Sequence, residues 1–220
     1  MTNKKFNTMK NTALIIWGFL LSFGVVAQRQ KDPATLAILE ALSAKYKAYN
    51  AFHADFVYSL INPDDTKEEI SGSVTVKGDK YMLDLGDQVV INDGKTEWRH
   101  LKDVNELNIS DFYPEDQEIS VSNIFTIYES GYKYVYVESR DGDTVDVIDL
   151  EPEKGGSDIY KIRMLIGSKK RELQSFLMYE RSGIKYEYSI SGFNENANLN
   201  DSFFGFDEDE FDGDIIDFRN

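Results

Sequence analysis

Cysteine is absent from the 220-residue chain. That gap removes disulfides, thiolate metal sites, a cysteine nucleophile and a lipid-bearing cysteine together. Histidine is nearly absent. His53 and His100 fall in separate strand-like runs with no second histidine or carboxylate at metal-ligand spacing, so the pattern of a zinc site is missing. Positive charge is scarce: 24 basic residues face 39 acidic ones, for a formal charge of -15. Contacts to a phosphate backbone need clustered lysine and arginine, so nucleic acid is not an expected partner. No serine-nucleophile or phosphate-loop motif occurs. The acidic C-terminus, FDEDEFDGDIIDF, does not fit a calcium loop: counting from Asp207 puts Phe211 at the fifth position and Asp212 at the sixth, where an oxygen ligand and a glycine are needed. It reads as a solvated or edge-strand segment. With so many acids, close carboxylate pairs arise by chance, and none marks a glycosidase.

Long hydrophobic runs are missing too. The longest, ALIIWGFLLSFGVVA, has about fifteen residues, short of the ~20 that cross a bilayer. Lys4, Lys5 and Lys10 precede it, and Val25-Val26-Ala27 close it with small or compact residues. This is the pattern of a cleaved signal peptide over residues 1–27, with Met9 as an alternative start. Cleavage leaves 28–220 as one domain, removes three lysines and no acid, and takes the charge to -18. Gln28 rather than cysteine then leads the mature chain, which predicts a soluble exported product.

What is present is apolar and periodic. Hydrophobic residues make up 41% and aromatics 13%, enough for one globular domain with a sizeable core. Asp32-Pro33 supplies an N-cap acceptor and a proline at the first helical position, and Leu36, Leu39, Leu42, Tyr46 and Tyr49 recur at helical spacing. From Phe52 the period becomes two, with Phe52, Ala54, Phe56, Tyr58 and Leu60 on one face. Alternation continues through ISGSVTVKG, KYMLDL, QVVIN, KTEWRHL, VNELNI, YKYVYVES, TVDVIDL, DIYKIRMLIG, ELQSFLMYE and IKYEYSIS, about eleven strands in all. Gly78-Asp79, Asp93-Gly94, Asp141-Gly142 and Ser182-Gly183 read as tight antiparallel turns. Asn92-Asp93-Gly94-Lys95 therefore predicts a hairpin rather than a catalytic loop. Only residues 114–130 break the pattern, as a short apolar helix or loop carrying Ile119, Ile124, Phe125, Ile127 and Tyr128. A meander without βαβ alternation predicts a mainly β fold: an incomplete antiparallel barrel with two helical covers. Fourteen Phe, 13 Tyr and 2 Trp on such a sheet describe either a container or a well-filled core, and composition leaves both open.

VTVKGDKYMLDL followed by QVVINDGKTEWRHLKDVNELNI resembles the central strands of the LolA-type periplasmic lipoprotein carriers, in which a DGK-x-x-(W/Y) hairpin follows strands reading G-x-(apolar)-x-V-K. The helix followed by ADF, from Leu36 to Phe56, and the closing DSFFGFDEDEFDGDIIDF resemble the same family. The resemblance implies a half-open barrel with a helical lid over an apolar cavity that receives the acyl chains of lipoproteins. An inner-membrane releasing transporter would supply the cargo and an outer-membrane acceptor would take it. At ~0.8 kcal/mol per CH₂, one long acyl chain exposed to water costs roughly 11 kcal/mol, which makes a carrier necessary. The expected cavity residues are Phe56, Tyr58, Val76, Tyr81, Leu83, Trp98, Met164, Phe176 and Met178 on the sheet, with Leu39, Leu42, Ile124 and Phe125 on the covers. Ordinary core packing is the alternative for each. No catalysis and no cofactor are implied, and the carrier would act as a monomer. One departure stands out. Where proteobacterial carriers place a lid-latching arginine, this chain has Gly78: either Lys77 or Lys80 substitutes, or the packing of Ile124 and Phe125 holds the lid, or the chain binds apolar cargo other than lipoproteins. A lipid-sensing or structural β protein of the same fold, without transport, is the alternative function.

Overall fold

A computed structural model describes residues 32–114, 119–120, 123–129, 131–142, 144–195 and 199–219. The signal peptide expected at 1–27 lies outside the described residues. The first element is helix α1 (Pro33–Lys47). Asp32 caps it, its carboxylate accepting from the Thr35 amide at 3.0 Å and the Thr35 hydroxyl at 2.8 Å, and Lys45 and Lys47 complement the dipole in the last turn. Leu39, Leu42 and Tyr46 are buried, as their spacing predicts.

Twelve strands follow: β1 (Phe52–Ile61), β2 (Lys67–Lys77), β3 (Lys80–Asp84), β4 (Gln88–Asn92), β5 (Thr96–Leu101), β6 (Glu106–Asp111), β7 (Tyr132–Arg140), β8 (Val145–Pro152), β9 (Ile159–Gly167), β10 (Leu173–Glu180), β11 (Lys185–Asn194) and β12 (Asp214–Asp217). They form one sheet in the order β12-β6-β5-β4-β3-β2-β1-β11-β10-β9-β8-β7. It is open, with β7 and β12 as its unjoined edges. Gly78, Gly94, Gly142 and Gly183 take positive φ in turns where the sequence places them. The 92–95 stretch is a hairpin turn between β4 and β5, with the Asp93 carboxylate accepting from the amides of Lys95 and Thr96 at 2.9 and 2.8 Å.

Three expectations need correction. The sheet has a twelfth strand, from the acidic tail, and it pairs parallel to β6, so the sheet is not purely antiparallel. Among the described residues there is one helical cover where two were expected. The described part of the β6–β7 link consists of turns and a 3-10 turn at Ile127–Glu129. The Ser120 amide donates to Asn123 Oδ1 at 2.7 Å and the Asn123 amide to Ser120 Oγ at 3.1 Å, a reciprocal cap that is followed by i→i+3 turns, Thr126 to Asn123 and Glu129 to Thr126, rather than by an α-helical ladder.

The link also joins distant strands. β6 and β7 stand ten positions apart, about 48 Å in a flat sheet at ~4.8 Å per strand. The sheet curls nonetheless: residues from β1–β4 and from β7–β11 meet in one core with α1 and with Ile124, Phe125, Ile127 and Tyr128 of the link, which lie on its concave face. The main core lies on that face, between α1, the link and β1–β4 and β7–β11. A second core lies on the opposite face: Ile91, Trp98, Leu107 and Ile109, with Met82, Val89, Phe206 and Phe211 against them. The C-terminal segment covers this outer core. Lys77 Nζ donates to the Leu199 carbonyl and to Asp201, both at 2.8 Å, Lys80 Nζ donates to Asp201 at 2.9 Å, and Phe204 is fully buried. Trp98 Nε1 donates to Glu208 at 2.7 Å.

Candidate functional site

Alternation along β1 sends Phe52, Ala54 and Phe56 to the concave face, opposite Val76, Val74 and Gly72 of β2. Gly72 is required there: a Cβ would lie 2.8 Å from the Phe56 ring and 2.7 Å from the Asp84 carbonyl. On the other flank β11 pairs with β1 through a bulge, Asp55 opposing Gly192 and Phe56 opposing Ile190. The extra residue, Ser191, shifts the side-chain parity, so Ile190 and Phe193 both reach the concave face.

These residues enclose an apolar cavity of about 50 Å³, lined by Phe52, Ala54, Phe56, Val74, Ile124, Phe125, Leu173, Phe176, Tyr188, Ile190 and Phe193. Stacking orders its wall, with the Phe176 and Tyr188 rings 4.6 Å apart and 10° from parallel. Burial pushes the Tyr188 hydroxyl up to about 12, so the ring stays neutral. Next to the cavity an open groove of about 340 Å³ runs between the end of α1, the turn at Gly78 and Asp79, and the link. Phe52 and Phe125 line both spaces, so Phe125 is part of the partition between them.

Phe125 and its neighbours are held against α1. The Phe125 ring stacks on Tyr46 at 3.6 Å and 13°, and the Tyr46 hydroxyl, its pKa raised by burial, accepts from the Leu173 amide at 3.4 Å. A few residues on, the Glu129 carboxylate accepts from Lys47 Nζ at 2.7 Å and from Ser43 Oγ at 3.1 Å. The Lys47 hydrogen bond lowers the Glu129 pKa and raises that of Lys47. Both side chains remain about half exposed, at 55% for Lys47 and 43% for Glu129, so the pair is weak and breakable. Lys77 and Lys80, the expected latch substitutes, are engaged instead with the C-terminal segment. Their positions flanking Gly78 and Asp79 put them at the β2–β3 turn, where both reach Asp201. Phe125 stacks on Tyr46 and Ile124 is buried beside it.

Of the expected cavity residues, Phe56, Ile124, Phe125 and Phe176 meet at the cavity. Leu39, Leu42, Val76, Tyr81 and Met164 are buried in the same core, with Tyr58, Leu83 and Met178 partly buried against it. Trp98 is not there. It opposes Ile91 and Ile109 in the outer core, because its strand turns Glu97 and Arg99 to the concave side. Phe52, Leu173, Tyr188, Ile190 and Phe193 were not among the expected residues. Period two flags Phe52 and Tyr188, whereas Phe193 depends on a bulge that no pattern announces.

Comparisons with known proteins bear on what such a cavity is for. Residues 47–207 match the model of a family described as outer membrane lipoprotein carrier protein LolA; α1 up to Tyr46, and β12, lie outside that span. No curated protein matches the chain. Among solved structures, an uncharacterized conserved protein from Thermus thermophilus aligns at TM-score 0.55 and 11% identity, covering 84% of this chain and 99% of its own. A LolA superfamily protein from Nitrosomonas europaea aligns at 0.44 and 12%, covering 78% and 97%. LprF from Mycobacterium bovis aligns at 0.45 and 11%, also covering 78% and 97%. The Thermus likeness shows the fold alone.

Proposed function

The chain belongs to the family of the outer membrane lipoprotein carrier protein LolA, and from that premise we propose that it is a periplasmic carrier that shelters the acyl chains of lipoproteins on their way from the inner to the outer membrane. The carrying observation is the cavity: wholly apolar in its lining, about 50 Å³, and separated from a groove of about 340 Å³ by Phe125. Sites for drug-sized ligands run to ~300–1,000 Å³, so the described state is closed. Loading requires the link to lift, which would join the apolar cavity to the groove beside it, whose lining mixes Phe52, Val76 and Phe125 with Ser43, Lys47 and Asp79.

A carrier must release what it binds. Among the described residues the link meets α1 through the Phe125–Tyr46 stack, the half-exposed Glu129–Lys47 pair with its Ser43 bond, and packing of Ile124, Ile127 and Tyr128 in the shared core. Cargo entering the cavity can replace these with apolar contacts of its own. No bond is made or broken in this cycle and no cofactor takes part. Among the described residues no helix is long and apolar enough to cross a membrane.

The test is a release assay. Purified protein added to spheroplasts should carry newly made, fully acylated lipoproteins into the soluble fraction, and a photo-crosslinker at position 125 should attach to them. A protein that binds free fatty acid but releases no lipoprotein from spheroplasts, with an authentic carrier active in parallel, would instead be the non-transporting lipid sensor.

A further inference from the structure

The outer edge of the sheet carries features that cargo binding does not use. β12 is the last strand beyond β6 among the described residues, and all four of its residues are exposed. The Asp214 amide donates to the Asn105 carbonyl and the Phe218 amide to that of Ile109. Alternation then points the amides of Ile215 and Asp217 away from β6, into solvent, with no strand to receive them. Ten large hydrophobic side chains are exposed among the described residues, and five of them, Val104, Tyr113, Ile215, Ile216 and Phe218, lie at this edge. Charge gathers here as well. Residues 199–220, the tail itself, hold eight acids against one base. The tail's one base, Arg219, is occupied by Asp217 and Glu208.

We propose that β12 is a docking edge that takes an extended, cationic segment of a partner protein by strand addition. Free backbone donors and acceptors supply the pairing, Ile215 and Ile216 offer an apolar contact on each face, and the acids select positive charge and speed its approach. A second copy of this chain is disfavoured as the occupant, because edge-to-edge pairing would bring the two acidic tails together. Edge strands are commonly blunted by charge against self-association. Blunting alone, however, does not call for leaving Ile215 and Phe218 44% and 61% exposed.

The probe is a capped eight-residue peptide of alternating lysine and valine, titrated into the isotope-labelled mature protein and followed by amide chemical shifts. Saturable shifts centred on 214–217, weakening as salt rises, are expected. Ile215→Pro removes an outward amide yet keeps the pairing to β6, a place where edge strands accept proline, and should weaken the peptide at least about tenfold. Should proline detach β12, visible as lost protection of the Asp214 and Phe218 amides, Ile215→Lys keeps the strand and should repel the same peptide. Shifts scattered elsewhere, equal binding of a glutamate-valine peptide, undiminished binding by both variants, or a dimer in sedimentation that Ile215→Pro dissolves would each overturn the proposal.

Discussion

Replacing Phe125 with alanine tests whether the β6–β7 link is a lid or a piece of fixed core. The ring is 8% exposed, stacked on Tyr46 at 3.6 Å and edge-on to Phe52 at 5.7 Å. In a locked core, Phe→Ala costs about 3–5 kcal/mol through lost burial and the cavity left behind. A lid behaves differently. Once the closed state is weakened past the point of opening, the rest of the molecule stays folded, so the global loss is capped by the free energy of closure. The contacts specific to closure are a stack worth about 0.5–1.5 kcal/mol and the exposed Glu129 pair, with its Ser43 bond, worth about 0.2–1 kcal/mol, while burial of Ile124, Phe125, Ile127 and Tyr128 is set against the entropy of ordering the link. The cap is therefore about 2 kcal/mol. Urea unfolding of Phe125→Ala should show a loss below that figure, while Ile162→Ala, at 0% exposure on β9, should lose about 2–5 kcal/mol. The open population should rise in step, so uptake of a fluorescent fatty acid in stopped flow should quicken about tenfold for each 1.4 kcal/mol taken from closure. A loss of about 3–5 kcal/mol with unchanged uptake would refute the reasoning and make the link core.

Glu129 gives the lid a pH dependence. Its carboxyl is depressed by Lys47, so the pair holds the lid above the ordinary glutamate value of about 4.3 and lets go as pH falls through the folded one. Fatty-acid uptake should accelerate as pH drops through that acid range, and Glu129→Gln should show fast uptake at every pH with no acid step. At the β4–β5 turn, Gly94 has φ +93° with open space around it, so Gly94→Val should cost about 1–2 kcal/mol in chemical unfolding through backbone strain alone. Lys95→Ala should stay within about 0.5 kcal/mol and bind cargo normally; lost binding at unchanged stability would return that turn to the functional site. Removing residues 205–220 uncovers Met82, Val89, Ile91 and Trp98, so Trp98 emission should shift to the red and sedimentation should show self-association. An unshifted, monomeric product would mean that the outer core needs no cover.

The strands were legible because alternation is written along each one, and the hairpins because their turns need glycine at positive φ. β12 was not: DIID pairs in parallel with a strand about a hundred residues away, a choice that local pattern does not carry. Ile119 to Tyr128 looked helical in composition, and Ser120 and Asn123 do cap a turn there, but the described residues after it close i→i+3 turns instead of an α-helix. Trp98 shows the deeper limit. Period two tells which side chains share a face, yet it is silent on which side of the sheet will be covered. Around β3–β5 the covered side changes, with Tyr81 and Leu83 facing the cavity side while Met82 and Trp98 face the tail. Glu129 was invisible as a latch because its partners, Lys47 and Ser43, stand more than eighty residues earlier on the helix.

The pairing of β1 with β11 has a consequence for how the molecule comes into being. His53 lies opposite Asn194, and that single seam joins one meander, β1–β6, to the other, β7–β11. Each meander can form from neighbours in sequence, but the concave wall exists only once nearly the last strand has reached nearly the first. Such long-range closure is slow, and until it happens β1 presents Phe52, Phe56 and Tyr58 on an unpaired edge. A chain that stops short of β11 is therefore left with two partial sheets and a sticky boundary. The β1–β11 register is the step at which folding and aggregation compete.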